Sequence, residues 1–323
     1  MSPVEASEHI PVLADELVGL LEPERGGAAL DCTFGSGGHS RAIARRLGRE
    51  GSIVCVDRDP EAAARFDGLA GEVECDARFV GGDFADVIDG LAAAGESFDV
   101  ACMDLGVSSQ QLDRPERGFS YSADAPLDMR MDPGQELSAR EVVNDWPTDR
   151  LAVALRELGE ERHARAIAAE IGRRRPLATT FELVEAVRAA VPPSYRFGRG
   201  HPAKRTFQAI RIAVNGELDS LDRALPGAWG LLADGGRLGA ISFHSLEDRR
   251  VKRFLAERAR ECVCPPELPM CVCSREPEAE LITRRAVAAS PAEAERNPRA
   301  RSARLRVARK LRGPREDRPG GAA

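Results

Sequence analysis

Four short apolar runs recur along the first third of the chain, and each has an aspartate at or just after its carboxyl end. The runs cover residues 28–32, 52–57, 78–81 and 98–104, and their aspartates are Asp31, Asp57, Asp83 and Asp104. The segments between the runs have helical patterns, and strands alternating with helices predict βαβ units in a parallel sheet. Because parallel strands end at one edge, we expect the four carboxylates to line one ligand site.

A glycine-rich turn, DCTFGSGGH (31–39), follows the first run. Such a turn between a strand and a helix lets the backbone approach a nucleotide closely. Its spacing differs from the G-x-G-x-x-G of dinucleotide enzymes, so a pyrophosphate is not the expected ligand. Asp57 is suited to accept ribose hydroxyl hydrogens, while Asp83 and Phe84 are suited to frame an adenine. The predicted cofactor is S-adenosylmethionine, and a nicotinamide oxidoreductase is disfavoured.

Each aspartate taken alone is equally well explained as the N-cap of the helix that follows it. Four aspartates in register with a glycine turn favour the ligand site over that structural explanation.

The middle of the chain interrupts this pattern. Residues 105–135 are rich in Gly, Pro, Ser and Asp and predict a loop, whereas 138–192 predict helices. Strand patterns return at 237–243, 281–287 and 304–308. We therefore predict a methyltransferase domain in two parts, an inserted helical substrate-recognition domain and a disordered tail, with bounds 1–112 and 219–312, 113–218, and 313–323.

Charge is distributed unevenly. Residues 1–149 carry 12 Arg against 30 Asp and Glu, net −18, and the remaining residues carry 34 Lys and Arg against 22 acids, net +12. A basic half on an acidic protein suggests a polyanionic partner such as RNA, although a solvated helical surface also explains it. The polar N-terminus and the lack of a run of ~20 apolar residues predict a cytoplasmic protein without membrane contact.

Longer motifs closely resemble the RsmH (MraW) family of bacterial ribosomal RNA cytosine-N4 methyltransferases. The matching blocks are DCTFGSGGHS (31–40), DRDP (57–60), DLGVSSQQLD (104–113), RGFS (117–120), PLDMRMD (126–132), HPAKRTFQAIRIAVNGEL (201–218), GGRLGAISFHSLEDRRVKRF (235–254) and NPRARSARLRVA (297–308). The resemblance implies an α/β, class I (Rossmann-like) methyltransferase fold with a mostly parallel seven-stranded sheet. It also implies methylation of cytosine 1402 at N4 in the decoding region of 16S rRNA, within the assembled or assembling 30S subunit.

By matching positions, the resemblance places the cofactor contacts on Gly37, Gly38, His39, Asp57, Phe84, Asp104 and Gln111. Cys32 departs from the glycine common in the family, a change we expect to have little effect on cofactor binding.

Transfer to a cytosine amine needs in-line placement and an acceptor for the amine hydrogen. Asp104 is the predicted acceptor, and His244 is a second catalytic candidate, although a Ser245–Asp248 helix cap explains its neighbours. Phe119 and Tyr121 are candidates to receive a flipped base, with core packing an equal explanation for Phe119.

On a helix, Lys204, Gln208 and Arg211 share a face, and with Arg205 they are the predicted RNA contacts.

Four cysteines form a separate cluster: Cys262, Cys264, Cys271 and Cys273. Four thiolates suit zinc, but C-x-C pairs are tighter than the usual ligand spacing. Structural zinc, free thiols and a redox pair all remain open.

Two other functions fit the same fold. A small-molecule methyltransferase is disfavoured by the basic half and the large insertion. An RNA-binding ribosome assembly factor is disfavoured by the intact glycine turn and the four aspartates.

Overall fold

The computed structural model describes residues 11–25, 27–198, 200–265, 270, 272–273 and 275–311. The predicted tail 313–323 lies outside them. The chain divides into two compact units, one formed by Met1–Gly106 with Ser220–Ala323 and the other by Val107–Asp219.

Among the described residues, the first unit contains a seven-stranded sheet in the order β3-β2-β1-β4-β5-β7-β6. The strands are β1 (Ala28–Asp31), β2 (Ser52–Asp57), β3 (Asp76–Gly81), β4 (Phe98–Asp104), β5 (Leu232–Ser242), β6 (Ala279–Leu281) and β7 (Arg304–Lys310). β1 to β5 are parallel, and β7 runs antiparallel to both β5 and β6. The predicted α/β class with a mostly parallel seven-stranded sheet is confirmed.

The helices of the described residues follow in chain order. They are α1 (Ala14–Leu21), α2 (Gly38–Leu47), α3 (Glu61–Glu72), α4 (Phe84–Ala93), α5 (Ser109–Asp113), α6 (Ala139–Asn144), α7 (Thr148–Gly159), α8 (Ala164–Arg174), α9 (Thr180–Ala190), α10 (Pro193–Arg196), α11 (Lys204–Asn215), α12 (Glu217–Leu231), α13 (Ser245–Arg258) and α14 (Pro291–Arg296). None of these described helices is long and apolar enough to cross a membrane.

Alternation along the strands gives the sheet two apolar faces. In β2, Val54 and Val56 pack in the core beneath α4, α12 and α13, whereas Ile53 and Cys55 pack in the core beneath α1, α2 and α3. Successive side chains of a strand point to opposite faces, so a continuous apolar run yields a sheet covered on both sides.

The second unit has a helical core of its own, built from the buried faces of α6 to α9 and α11. Its central polar contact is Asn215, which is 4% exposed. The Asn215 amide donates to the Met129 carbonyl and accepts from the Met131 backbone N–H, both at 2.8 Å. One side chain therefore satisfies two backbone groups of the segment ahead of α6.

Two details of the predicted secondary structure are wrong. The loop predicted over 105–135 contains α5, which begins with a capping box between Ser108 and Gln111. The strand predicted over 281–287 ends at Leu281. Beyond it the contact with β7 continues through Thr283, whose hydroxyl accepts the Val307 backbone N–H at 2.9 Å, and through an isolated bridge between Val287 and Leu305.

Candidate active site

The carboxyl ends of β1, β2 and β4 lie at one edge of the sheet, and their aspartates have very different surroundings. Asp31 is 1% exposed. One oxygen accepts the Thr33 backbone N–H and the other accepts the Ser40 hydroxyl hydrogen. Asp31 therefore joins the strand, the turn and α2, and its role is to hold the turn in place.

Asp57 fastens the glycine turn from the neighbouring strand. One oxygen accepts the Gly35 backbone N–H at 2.6 Å, and the other accepts the Asp59 N–H at 2.8 Å. Burial raises the pKa of Asp57, and these two hydrogen bonds oppose that shift. A carboxylate can accept more than one donor per oxygen, so these contacts leave acceptor capacity for ribose hydroxyls.

The turn itself requires glycine at two points. Gly37 has φ of 76°, and a β-carbon there would lie 2.8 Å from the Phe34 ring. A β-carbon on Gly38 would lie 2.9 Å from Pro11. The backbone at the start of α2 is thus packed too closely for any larger residue.

Asp83 follows β3 and behaves as the helix-cap explanation predicts. It accepts the Ala85 N–H at 2.9 Å, accepts the Ser220 hydroxyl hydrogen at 2.8 Å and lies 3.4 Å from Arg58. Phe84, the first residue of α4, is half-buried against the core.

Asp104, at the end of β4, differs from the other aspartates in the partners of its carboxyl oxygens. Its Oδ1 is buried and has no hydrogen-bond partner among the described residues, although the whole side chain is 30% exposed. Burial raises the pKa of Asp104 to about 6; the neighbouring His39 opposes the shift, and Asp31 and Glu247 add to it. A buried acceptor without a donor is costly unless a ligand supplies one.

His39 is oriented toward Asp104 by the backbone ahead of α1. Its Nε2 lies 2.8 Å from the Val12 carbonyl, and its Nδ1 lies 3.6 Å from Asp104 Oδ2. A carbonyl can only accept, so Nε2 carries the hydrogen and Nδ1 faces the carboxyl group.

Glu247, which the sequence analysis did not single out, is buried near Asp104 at the start of α13. It is 2% exposed, and its Oε2 accepts the Phe243 N–H at 2.8 Å and the His244 N–H at 3.3 Å. His244 Nδ1 accepts the Glu247 N–H at 3.4 Å, and its Nε2 lies 3.1 Å from Glu247 Oε1. These two residues form a capping box.

The cap predicted from Ser245 to Asp248 is therefore wrong by one position. Asp248 pairs with Arg306 at 2.7 Å, and the pair with a glutamate three residues on begins at His244. In a capping box a glutamate follows the cap residue by three positions. His244 and Glu247 have this spacing in the sequence, and it could have identified Glu247.

The remaining cofactor and base candidates lie in the second unit. Gln111 is 6% exposed and forms the capping box with Ser108. Phe119 is 6% exposed and packs in the helical core. Tyr121 is half-buried and stacks on His201, with ring centroids 4.3 Å apart and an interplanar angle of 7°.

The predicted RNA contacts on α11 divide into two kinds. Lys204 and Arg205 are exposed, and Arg205 donates to the Glu160 carbonyl at 2.7 Å. Gln208 donates to the Leu158 carbonyl at 3.1 Å. Arg211 makes a paired contact to Glu217, 2.8 Å at each oxygen, with both side chains at most 15% exposed. The last two side chains thus hold the helical unit together.

In the cysteine cluster, the sulfurs of Cys262, Cys264 and Cys273 lie within 4.8 Å of one another. Cys271, the fourth cysteine of the predicted cluster, lies outside the described residues. The other four cysteines, Cys32, Cys55, Cys75 and Cys102, are buried. Burial raises the pKa of Cys32, Cys55 and Cys102 well above the usual thiol range.

Comparison with known proteins extends over nearly the whole chain. The "Ribosomal RNA small subunit methyltransferase H" of Heliobacterium modesticaldum is 48% identical over 314 residues, covering 94% of this chain and 99% of that protein. The protein of the same name from Symbiobacterium thermophilum is 51% identical over 314 residues, covering 95% of this chain and 98% of that protein. A solved structure described as a putative rRNA-methylase from Clostridium thermocellum aligns with 94% of this chain and 99% of its own at 9% identity and a TM-score of 0.43, a likeness too weak to bear on function.

The family model described as "MraW methylase family" matches residues 6–311, which include the glycine turn, Asp104 and the capping box at His244. With relatives near 50% identity over almost their full length, this chain belongs to the MraW methylase family.

Proposed function

We propose that this protein transfers the methyl group of S-adenosylmethionine to the exocyclic N4 of cytosine 1402 in 16S ribosomal RNA. The family match and the names of the relatives support a methyltransferase acting on small-subunit rRNA. The proposed chemistry is supported above all by Asp104 at the sheet edge, whose Oδ1 is buried and has no partner among the described residues. It suits a ligand that brings an N–H donor, as both the amino acid part of the cofactor and a cytosine amine do.

The proposed cofactor contacts are Gly37, Gly38, His39, Asp57, Phe84, Asp104 and Gln111. When bound, S-adenosylmethionine supplies a methyl group on a sulfonium, which needs no further activation. The protein's task is then to position the acceptor nitrogen and to stabilise the charge that develops on it.

Asp104 is proposed as the catalytic residue. The lone pair of a cytosine amine is delocalised into the ring, and it becomes available as the carboxylate accepts a hydrogen bond from that amine. Receipt of the methyl group would leave the N4 nitrogen positively charged, and that nitrogen would then have to lose one proton. A carboxyl group with a pKa of about 6 is mostly ionised at neutral pH, and it is basic enough to take that proton and return it to water.

His244 is proposed as a positioning residue. Both of its ring nitrogens face Glu247, and its side chain is 10% exposed. It holds Glu247 in place, and the Glu247 charge in turn helps to raise the pKa of Asp104.

For the RNA, we propose the helical unit as the substrate-recognition domain. Lys204 and Arg205 are exposed and suited to phosphate contacts. Tyr121, stacked on His201, is better placed to receive a base than Phe119, whose ring is part of the helical core.

The test uses isotopically labelled S-adenosylmethionine with three substrates: small subunits that lack the modification, naked 16S rRNA, and a metabolite extract. Nucleoside digestion and mass spectrometry then distinguish N4-methylcytidine from other methylated cytidines. Label in N4-methylcytidine of 16S rRNA is expected, and mapping of the labelled fragment tests the position. Label in metabolites alone, or in no substrate, contradicts the proposal.

The matched variants are Asp104→Asn and Asp67→Asn. Each removes one carboxylate at nearly constant size, but Asp67 lies exposed on α3. Asp104→Asn is expected to lower kcat at least a hundredfold, and Asp67→Asn is expected to leave it unchanged. Equal activity in both variants excludes the role proposed for Asp104.

A further inference from the structure

The three described thiols of the cysteine cluster lie at the two ends of one loop. Cys262 and Cys264 follow α13, and Cys273 precedes β6. Cys262 is exposed and the other two are half-buried, in contrast to the four cysteines of the sheet and its helices. Burial among apolar side chains therefore does not explain why these three sulfurs converge.

The distances between the sulfurs fit a shared metal ion. The Sγ atoms of Cys262 and Cys273 are 3.7 Å apart, and all three lie within 4.8 Å of one another. A disulfide requires about 2.05 Å. Four ligands at a Zn–S distance of about 2.3 Å in a tetrahedron have sulfurs about 3.8 Å apart. The cluster is thus too open for a disulfide and has the spacing of a thiolate metal site.

Each of the three sulfurs also accepts a backbone N–H. The Cys264 N–H points to Cys262 Sγ at 3.4 Å, the Val272 N–H to Cys264 Sγ at 3.4 Å, and the Val263 N–H to Cys273 Sγ at 3.5 Å. Such bonds orient metal ligands. They also show that the narrow C-x-C spacing brings both sulfurs of the first pair to one side of the backbone.

The large apolar side chains of the described part of this loop are exposed. Val263 is 47% exposed, and Met270 and Val272 are each 76% exposed. At the loop's base, Arg275 contacts Glu257 at 3.0 Å and joins the returning chain to α13. Since ordering a loop costs conformational entropy, a further link between its two ends is expected.

We propose that Cys262, Cys264 and Cys273 bind a structural zinc ion that cross-links the segment after α13 to the segment before β6. Binding converts three thiols to thiolates and releases their protons to solvent, so affinity falls as the pH is lowered. Among the described residues no fourth side chain joins the group. This site is separate from the proposed methyl transfer, and the zinc proposal does not depend on it.

The test is the metal content of the full chain, purified under reducing conditions without chelators. About one zinc per chain is expected. After removal by a chelator, cobalt(II) should restore a one-to-one complex with the visible bands of tetrahedral thiolate coordination. The absence of bound zinc together with the absence of cobalt binding to the reduced protein overturns the proposal, as does isolation of the thiols as a disulfide.

Serine variants locate the site. Cys262→Ser, Cys264→Ser and Cys273→Ser should each lower cobalt affinity at least tenfold, whereas Met270→Ser, in the same loop and 76% exposed, should leave it unchanged. Undiminished binding in all three cysteine variants places the metal elsewhere and overturns the assignment. If a variant fails to fold, alkylation of the wild-type thiols answers the same question, because bound zinc should slow their modification and a chelator should restore it. Equal alkylation rates with and without zinc contradict the site.

Discussion

Replacement of Asp104 by asparagine is expected to stabilise the fold at neutral pH while it abolishes methyl transfer. In the folded protein the pKa of Asp104 is raised from 3.8 to about 6, mainly by burial. The ionised carboxylate is therefore less favourable in the folded state than in the unfolded state. The free-energy cost is absent well below pH 4, grows between pH 4 and pH 6, and is complete above pH 6.

The size of the effect follows from that interval. A displacement from 3.8 to about 6 corresponds to about 3 kcal/mol at pH 8 and roughly 0.5 kcal/mol at pH 4. Solvent reaches part of the side chain, which is 30% exposed, so a gain of about 1–3 kcal/mol is expected at pH 8 after screening.

The assay is urea unfolding of the wild-type protein, Asp104→Asn and Asp67→Asn at pH 8 and pH 4. Asp104→Asn should unfold at higher urea concentration than the wild type at pH 8, and the difference should nearly vanish at pH 4. Asp67→Asn should match the wild type at both. If Asp104→Asn is less stable at pH 8, or if its effect is the same at both pH values, the reasoning from burial is refuted.

Three further predictions concern neighbouring parts of the molecule. The wild-type kcat should fall as the pH drops through about 6 because Asp104 becomes protonated, and Glu247→Gln should move that midpoint to lower pH by removing a nearby negative charge; an unmoved midpoint in pH–rate profiles counts against the coupling. Asp57→Ala should weaken S-adenosylmethionine binding in calorimetry by roughly tenfold to a hundredfold, the loss of a charged hydrogen bond, and equal weakening of RNA binding would contradict its ribose role. Asn215→Ala should lower the free energy of unfolding by about 2–4 kcal/mol because two buried backbone groups lose their partner, and a loss below about 1 kcal/mol in urea unfolding would argue against it.

Strands β1, β2 and β4 were predictable because they are buried on both faces. A strand of this kind appears in the sequence as an uninterrupted apolar run, and the bounds predicted for β2 and β4 are those observed. The prediction failed where a side chain replaced a backbone partner. Beyond Leu281 the Thr283 hydroxyl, and not a backbone carbonyl, accepts the Val307 N–H, and the β-branched pair Ile282-Thr283 gives no sign of this in the sequence.

The site was harder to predict, because hydrogen bonds across the fold determine what each acidic residue does. Glu247 lies within a charged stretch and resembles a solvated residue, yet the turn after β5 buries it. Arg211 resembles a phosphate contact on an exposed face, but Glu217, just beyond the end of α11, takes up its guanidinium. In both cases a turn of the chain brings the charged side chain close to its hydrogen-bond partner, and that partner determines whether the side chain is structural or exposed to a ligand.

The four aspartates at the strand ends also differ in role because their hydrogen-bond partners differ. In the sequence they are equivalent, each ending or following a strand. In the folded unit, Asp31, Asp57 and Asp83 accept backbone or side-chain donors supplied by the protein. Asp104 is followed by Leu105 and Gly106, and no described group donates to its Oδ1. Donors supplied by the protein lower the free energy of a carboxylate and reduce its tendency to bind a ligand or a proton. The aspartate that the fold leaves without a donor is therefore the one whose free energy changes most when a ligand brings an N–H group, and that is why the chemistry is assigned to Asp104.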